Sequence, residues 1–208
     1  MAKKEKIIVD KLKFEREELA NGNKLIAGVD EVGRGPLAGP VCTCAVIMPL
    51  DDIIDGIDDS KKISEKKRVE LAEIIKQKAI SYSIQMVNEK VIDEINILEA
   101  TKLCMKRAIE GLSIKPDIVL IDAISKLDVD TNIRGIIKGD ALSYSIGAAS
   151  ILAKVERDEY MKKMAEKFPE YDFAKNKGYG TKAHMEKLRE IGPCEIHRKS
   201  FIGFLEEK

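Results

Sequence analysis

The sequence predicts an α/β layer protein, with a mixed central β-sheet flanked by helices and a mostly helical C-terminal region. Three observations carry this. Short β-type apolar runs are interspersed with longer segments of helical period. The first two such runs, Lys24 to Val29 and Val41 to Met48, have only a Gly/Pro-rich turn between them, so they can pair as a hairpin. The run Asp117 to Asp122 is nearly all apolar, the pattern of a strand buried on both faces.

Each element has its own local warrant. Residues 4–20 carry a thin apolar stripe of Leu12, Phe14 and Leu19, and Asn21-Gly22-Asn23 then supplies a left-handed stop; this predicts an N-terminal helix. Glycine and proline from Gly33 to Pro40 force an irregular turn. Asp51 to Asp59 is an acidic loop. Ser64 is a good N-cap with Glu65 in the first turn behind it, and Val69, Leu71, Ala72, Ile74, Ile75 and Ala79 predict one buried helical face. Ser81 to Val87 alternates as a half-exposed strand, with Tyr82, Ile84 and Met86 on one side. Residues 96–112 form an amphipathic helix ended by Gly111, and Ile136-Ile137 is a last short strand. Residues 143–168 read as a helix that starts buried and runs out towards solvent. Residues 169–208 are mixed helix and loop. The domain reading is a helical extension, 1–23, before one main domain, 24–208, with a helical C-terminal part.

Composition excludes several function classes. With 208 residues, 44% of them hydrophobic, the chain is long enough for a sizeable core and is not a disordered segment. Lys+Arg number 36 and Asp+Glu 36, so any polyanion must be held by local cations or metal ions, because net attraction is absent. No apolar run approaches the roughly 20 residues of a membrane span, and the lysine-rich start lacks the apolar stretch of a secretory signal. A cytoplasmic monomer with no membrane contact is expected. Cys42 and Cys44 lie two apart on a β-type run and read as small core residues. Cys194-x-x-His197 resembles half a zinc site with the other half missing, and His184 and His197 are expected to be ordinary packing or surface residues.

The informative pattern is where acids interrupt apolar backbone. Asp30-Glu31 follow Ile26-Ala27-Gly28-Val29, Asp122 ends Ile118 to Ile121, and Asp140 follows Ile136-Ile137 and opens the next helix. A carboxylate there is costly unless paired, hydrogen-bonded or neutralised by a metal ion. Singly, Asp140 is equally a helix N-cap and Asp122 a turn residue. Together, four acids meeting at one sheet end call for divalent cations, and oxygen-only ligands select hard ions, Mg²⁺ or Mn²⁺. Such a group suits two-metal phosphoryl hydrolysis. Gly33-Arg34-Gly35, two residues on, is either a structural turn or a backbone cradle with a cation beside it.

Gly28-Val29-Asp30-Glu31-Val32-Gly33-Arg34-Gly35-Pro36-Leu37-Ala38-Gly39-Pro40-Val41 resembles the signature of the bacterial ribonuclease HII family. Asp59-Ser60-Lys61-Lys62, Asp122, Lys138-Gly139-Asp140, Ala148 to Lys154 and Asn176 to Thr181 follow in the family's order, over roughly residues 24–204. The resemblance implies a ribonuclease H-like fold and a metal-dependent endoribonuclease. Its substrates would be RNA/DNA hybrids and duplex DNA holding single ribonucleotides, cut 5′ of the ribonucleotide to leave 3′-hydroxyl and 5′-phosphate ends. By residue matching it implies Asp30, Glu31, Asp122 and Asp140 as catalytic metal ligands. It further implies Gly33, Arg34 and Gly35 as readers of the 2′-hydroxyl, Tyr179 against the sugar, and Lys61 and Lys177 at phosphates. Lys62 and Lys154 are further candidate phosphate contacts, and Ser143 and Ser150 could hydrogen-bond near the site. The alternatives are another two-metal nuclease of the same superfamily acting on DNA, and a catalytically silent hybrid-binding protein.

Overall fold

A computed structural model describes residues 10–122 and 126–205. Its centre is a five-stranded sheet in the order β3-β2-β1-β4-β5, formed by β1 (Ile26–Val32), β2 (Val41–Ile47), β3 (Ser81–Val87), β4 (Ile118–Asp122) and β5 (Asn132–Ile136). β1, β2 and β3 pair antiparallel, whereas β1, β4 and β5 run parallel. β1 and β2 form a hairpin across the 33–40 turn, β2 and β3 pair antiparallel although α2 lies between them, and the crossover from β3 to β4 carries a helix.

Helices cover both faces. α2 (Glu65–Lys78) and α5 (Tyr144–Lys167) pack on one, where Cys42, Cys44, Val46, Leu71, Ile75 and Leu152 share a core. α3 (Glu89–Glu110) packs on the other, through Met105, Ala108 and Ile109 against Val29, Ile47 and Val119. α5 reaches the sheet very closely at Gly28, where an added Cβ would stand 2.1 Å from the Ser145 carbonyl carbon. Only glycine permits that approach, and it brings the N-terminal half of α5 beside the strand that carries Asp30. A third cluster, with Met161, Tyr171, Phe173, Leu188 and Ile196, joins the outer half of α5 to α6 (Phe173–Asn176) and α7 (Lys182–Ile191). Among the described residues no helix is long and apolar enough to cross a membrane.

Several expectations change. Of the N-terminal helix, residues 4–9 lie outside the described residues, and α1 spans Lys13–Ala20. Its buried residues are Glu15 and Glu18, while Leu19 is exposed, because partners across the interface are polar. In α2, Arg68, Leu71, Ala72 and Ile75 are buried, Val69 and Ile74 are exposed, and Ala79 is the C-cap. On β3, Tyr82 is exposed, with Ile84 and Met86 only partly buried, because this strand lies at a sheet edge. α3 begins earlier than expected, at Glu89, and kinks at Asn96, whose side chain caps the second half. β5 ends at Ile136, leaving Ile137 in an exposed turn. β1 extends to Val32, so Asp30 and Glu31 lie within the strand rather than after it. Asp140 belongs to a separate four-residue helix, α4 (Gly139–Leu142), and Ser143 caps the long helix α5.

Candidate active site

The four candidate acids gather at one end of the sheet. In the parallel pair Val29 faces Ile121, so Asp30 and Asp122 are the next residues on adjacent strands. The pleat turns both towards α5, since Gly28 and Leu120, two residues back, face that helix. Glu31, one residue on, alternates away, and its Oε1 lies 3.5 Å from Arg34 Nη1. Asp140 comes from α4, reached through a turn in which Lys138 is left-handed, with φ 60°. That turn is tied to β4 by the Gly139 N–H, which donates to Asp122 Oδ1 at 3.0 Å.

Electrostatics record the convergence. Burial, then the Glu31 and Asp122 charges, push the Asp30 carboxyl well above its usual range, and the Ser150 hydroxyl works the other way. Burial and Asp122 raise Glu31, against the pull of Arg34. Burial, Asp59 and Asp122 raise Asp140, with Lys61 opposing. These groups lie within one another's field and hold protons more tightly than isolated carboxyls, the signature of a place that favours added positive charge. Among the described residues no three His, Cys, Asp or Glu side chains form a ready-made metal cage. The donor set is nevertheless all oxygen and carboxylate-rich, which fits a hard divalent ion.

The neighbouring turn is built by two arginines that the sequence reading did not single out. Arg157 and Arg198 are fully buried. Arg157 donates to the carbonyls of Pro40 (2.9 Å), Ala38 (3.1 Å) and Lys177 (2.9 Å). Arg198 donates to those of Gly39 (2.7 Å), Arg34 (3.0 Å) and Gly33 (2.5 Å). Gly33 has φ +94°, and a Cβ there would meet Arg157 Nε at 2.3 Å, so the turn fits only glycine over that guanidinium. No local pattern could have revealed these two, because in a chain with 35% charged residues a single arginine reads as surface.

Through Arg157 the 33–40 turn is bound to the loop after α6. The Leu37 N–H also donates to the Gly178 carbonyl at 2.8 Å. The exposed Tyr179 ring therefore stands beside Gly35, 3.9 Å from where a Cβ would lie. Its carbonyl is held from behind by a buried relay. His184 Nδ1 is 2.8 Å from the Tyr179 carbonyl, His184 Nε2 is 3.0 Å from His197 Nε2, and the Cys194 N–H donates to His197 Nδ1 at 2.9 Å. A carbonyl only accepts, so His184 is protonated on Nδ1 and His197 on Nε2. Both histidines are thus neutral packing residues. Cys194, which faces His197, is not half of a zinc site, because both ring nitrogens are already engaged.

Of the lysines, Lys61 is exposed, with Nζ 4.0 Å from Asp140 Oδ2. Lys177 is half-buried, left-handed at φ 52°, and donates to the Ala174 carbonyl. Lys62 reaches Asp58 at 3.8 Å. Lys154 is not an open phosphate contact: its side chain is 15% exposed and bonds Asp158 at 2.5 Å, because helical spacing turns it inwards. Ser143 caps α5, and Ser150 meets Ser60 at 2.9 Å.

A mixed sheet covered by helices on both faces, with carboxylates converging at the end of adjacent central strands, is the layout of the ribonuclease H-like class. Residues 27–203 match the family model of ribonuclease HII. The chain is 57% identical over 191 residues to ribonuclease HII of Caldicellulosiruptor bescii, covering 91% of this chain and 93% of the relative. It is 54% identical over 193 residues to that of Bacillus subtilis, covering 93% and 75%. The crystal structure of ribonuclease H2 from Pyrococcus horikoshii superposes with a TM-score of 0.74 at 28% identity, covering 88% of this chain and 98% of that one. The chain belongs to the ribonuclease HII family and is an endoribonuclease of the ribonuclease H type.

Proposed function

We propose that the protein hydrolyses the RNA strand of RNA/DNA hybrids and cuts 5′ of single ribonucleotides in duplex DNA, leaving 3′-hydroxyl and 5′-phosphate ends. The observation that carries this is continuity of backbone. Residues 30 and 31 supply carboxylates, and residues 33–35, on the same stretch, form the glycine turn flanked by Tyr179.

In this reading Asp30, Glu31, Asp122 and Asp140 hold Mg²⁺ or Mn²⁺. Bound there, the two ions supply an activated water and counter-charge for the leaving oxygen. The chain's own side chains do the rest. Asp30 and Asp122, fixed on paired strands, set the position of the scissile phosphate relative to the sheet. Backbone of the 33–35 turn and the Arg34 side chain face the ribose 2′-hydroxyl, which separates RNA from DNA. Tyr179 packs on the neighbouring sugar, and Lys61 and Lys177 meet phosphates, orienting the duplex without reading sequence. The 2′-hydroxyl is recognised and is not the nucleophile in this reading: His184 and His197 are buried and neutral, so no histidine pair for cyclisation faces the site.

The test is a labelled duplex carrying one ribonucleotide beside the same duplex in all-DNA form, each with Mg²⁺, Mn²⁺ or chelator. Metal-dependent cleavage confined to the first duplex, 5′ of the ribonucleotide, is expected. Equal cutting of both duplexes would favour a DNA nuclease of the same superfamily. Asp30→Asn should abolish turnover while leaving duplex binding largely intact.

A further inference from the structure

Three of the four acids sit on or at the end of strands of the central sheet. Asp140 does not. It sits on a helix of four residues, preceded by left-handed Lys138 and followed by extended Ser143. A helix that short has no stability of its own, so its position must come from what surrounds it.

Much of that support comes from the α1 segment, upstream of residues 27–203, which match the family model. Lys11 Nζ donates to the Ala141 carbonyl at 2.6 Å and to Asp58 Oδ1 at 2.5 Å, and the Lys11 carbonyl accepts from the Tyr144 N–H at 2.8 Å. Glu15, fully buried, accepts on Oε1 from the Ser143 hydroxyl at 2.6 Å and the Ser145 N–H at 2.9 Å. Its charge lies at the N-terminus of the 24-residue α5, where the helix dipole stabilises an anion. On the other side of Asp140, Arg134 of β5 pairs with Glu17 at 2.5 Å and Glu18 at 2.6 Å and lies over the Phe14 ring. The contacts therefore fall on residues 134, 141 and 143–145, bracketing Asp140. Through Asp58 they also reach the loop bearing Asp59 and Lys61, both of which act on Asp140.

We propose that the α1 segment is a brace for the fourth carboxylate: Lys11, Glu15, Glu17 and Glu18 grip the chain on both sides of Asp140 and fix where its side chain stands. Lys11 and Glu15 are positioning residues, acting on the metal site through residues 141–145. The inference rests on Asp140 being a metal-binding acid.

The test uses the full chain with Lys11→Met, Glu15→Ala, Glu15→Gln and Asp140→Asn. Three quantities are measured: Mn²⁺ binding by calorimetry, the half-saturating Mg²⁺ and the duplex KM in turnover, and hydrogen exchange of residues 137–145 against 26–32. Lys11→Met and Glu15→Ala should weaken Mn²⁺ binding and raise the half-saturating Mg²⁺ by about 10-fold, the scale of losing a group that orients a ligand, with duplex KM unchanged. Exchange should quicken in 137–145 and stay constant in 26–32. Glu15→Gln keeps the accepting oxygen but loses the charge at the start of α5, so its effect should fall between those of the parent and Glu15→Ala. Unchanged metal dependence and exchange in both Lys11→Met and Glu15→Ala would overturn the brace. If Asp140→Asn leaves Mn²⁺ binding intact, the assignment of Asp140 fails instead, and the exchange measurement alone then decides whether α1 holds this segment.

Discussion

Replacing Arg198 by Met keeps most of the side-chain volume and removes its donors. Three carbonyls lose them, those of Gly33, Arg34 and Gly39. The Arg34 carbonyl lies on the half-exposed turn and can recruit water, but the other two bonds are buried. Each orphaned buried acceptor costs about 1–3 kcal/mol, giving roughly 2–6 kcal/mol for the pair. A compensation of about 1 kcal/mol comes from relieving the repulsion between two adjacent buried guanidiniums; burial and Arg157 together pull the pKa of Arg198 down to about 9. The expected net loss is about 1–5 kcal/mol, set against the roughly 5–15 kcal/mol that a domain commands. Urea unfolding followed by circular dichroism at a shared m-value measures it directly. Arg198→Lys should fare little better, because one ammonium cannot reach carbonyls arranged for a planar fork. The double variant Arg157→Met/Arg198→Met should lose less than the sum of its parts. A loss below about 1 kcal/mol in Arg198→Met would refute the claim that this arginine holds the turn.

Other consequences can be measured on the same preparations. Asp30→Asn should raise Tm in chelator at pH 8: the folded carboxyl titrates above its ordinary value, so its ionisation lowers stability as pH rises, and an amide escapes this; a rise of about 2–4 °C per kcal/mol regained is the scale, and an unchanged Tm would count against the buried charge. The His197 pKa is pushed down to about 4 by burial and by His184. A base with a depressed folded pKa adds stability at neutral pH that drains away between about pH 6.5 and 4, here about 3 kcal/mol before screening and about 2 after; His197→Asn should flatten that acid limb in urea titrations, and an identical slope in both proteins would contradict the relay. Gly28→Ala should cost at least about 3 kcal/mol, because its methyl meets backbone 2.1 Å away. Gly22→Ala, with nothing within 4 Å, should cost only the roughly 1–2 kcal/mol of its left-handed φ; equal thermal losses for the two would exclude the close approach as the cause.

What the amino-acid order determined by itself lay among neighbours within one turn or one strand, although the faces of α1 and α2 and the bounds of β1, α3 and β5 came out differently. The hairpin between β1 and β2, the buried run of β4, the Ser64 cap of α2 and the buried start of α5 follow from period, capping and the absence of a helix between the first strands. The acids were legible because a carboxylate breaking an apolar run is conspicuous wherever it occurs, and the 28–41 stretch is long enough to identify a family. What only the tertiary structure decided were the groups whose environment comes from distant sequence. Arg157 and Arg198 look like surface charges until six carbonyls from residues 33–40 and 177 close around them. His184 and His197 look unremarkable until the end of α7 and the chain after it bring their Nε2 atoms to 3.0 Å. Glu15 inverts the expected face of α1, because its partners are the hydroxyl and N–H at the start of α5, 128 and 130 residues away. A buried polar group is tolerated only where the fold delivers its hydrogen-bond partners, and those partners are set by topology, which no local pattern records.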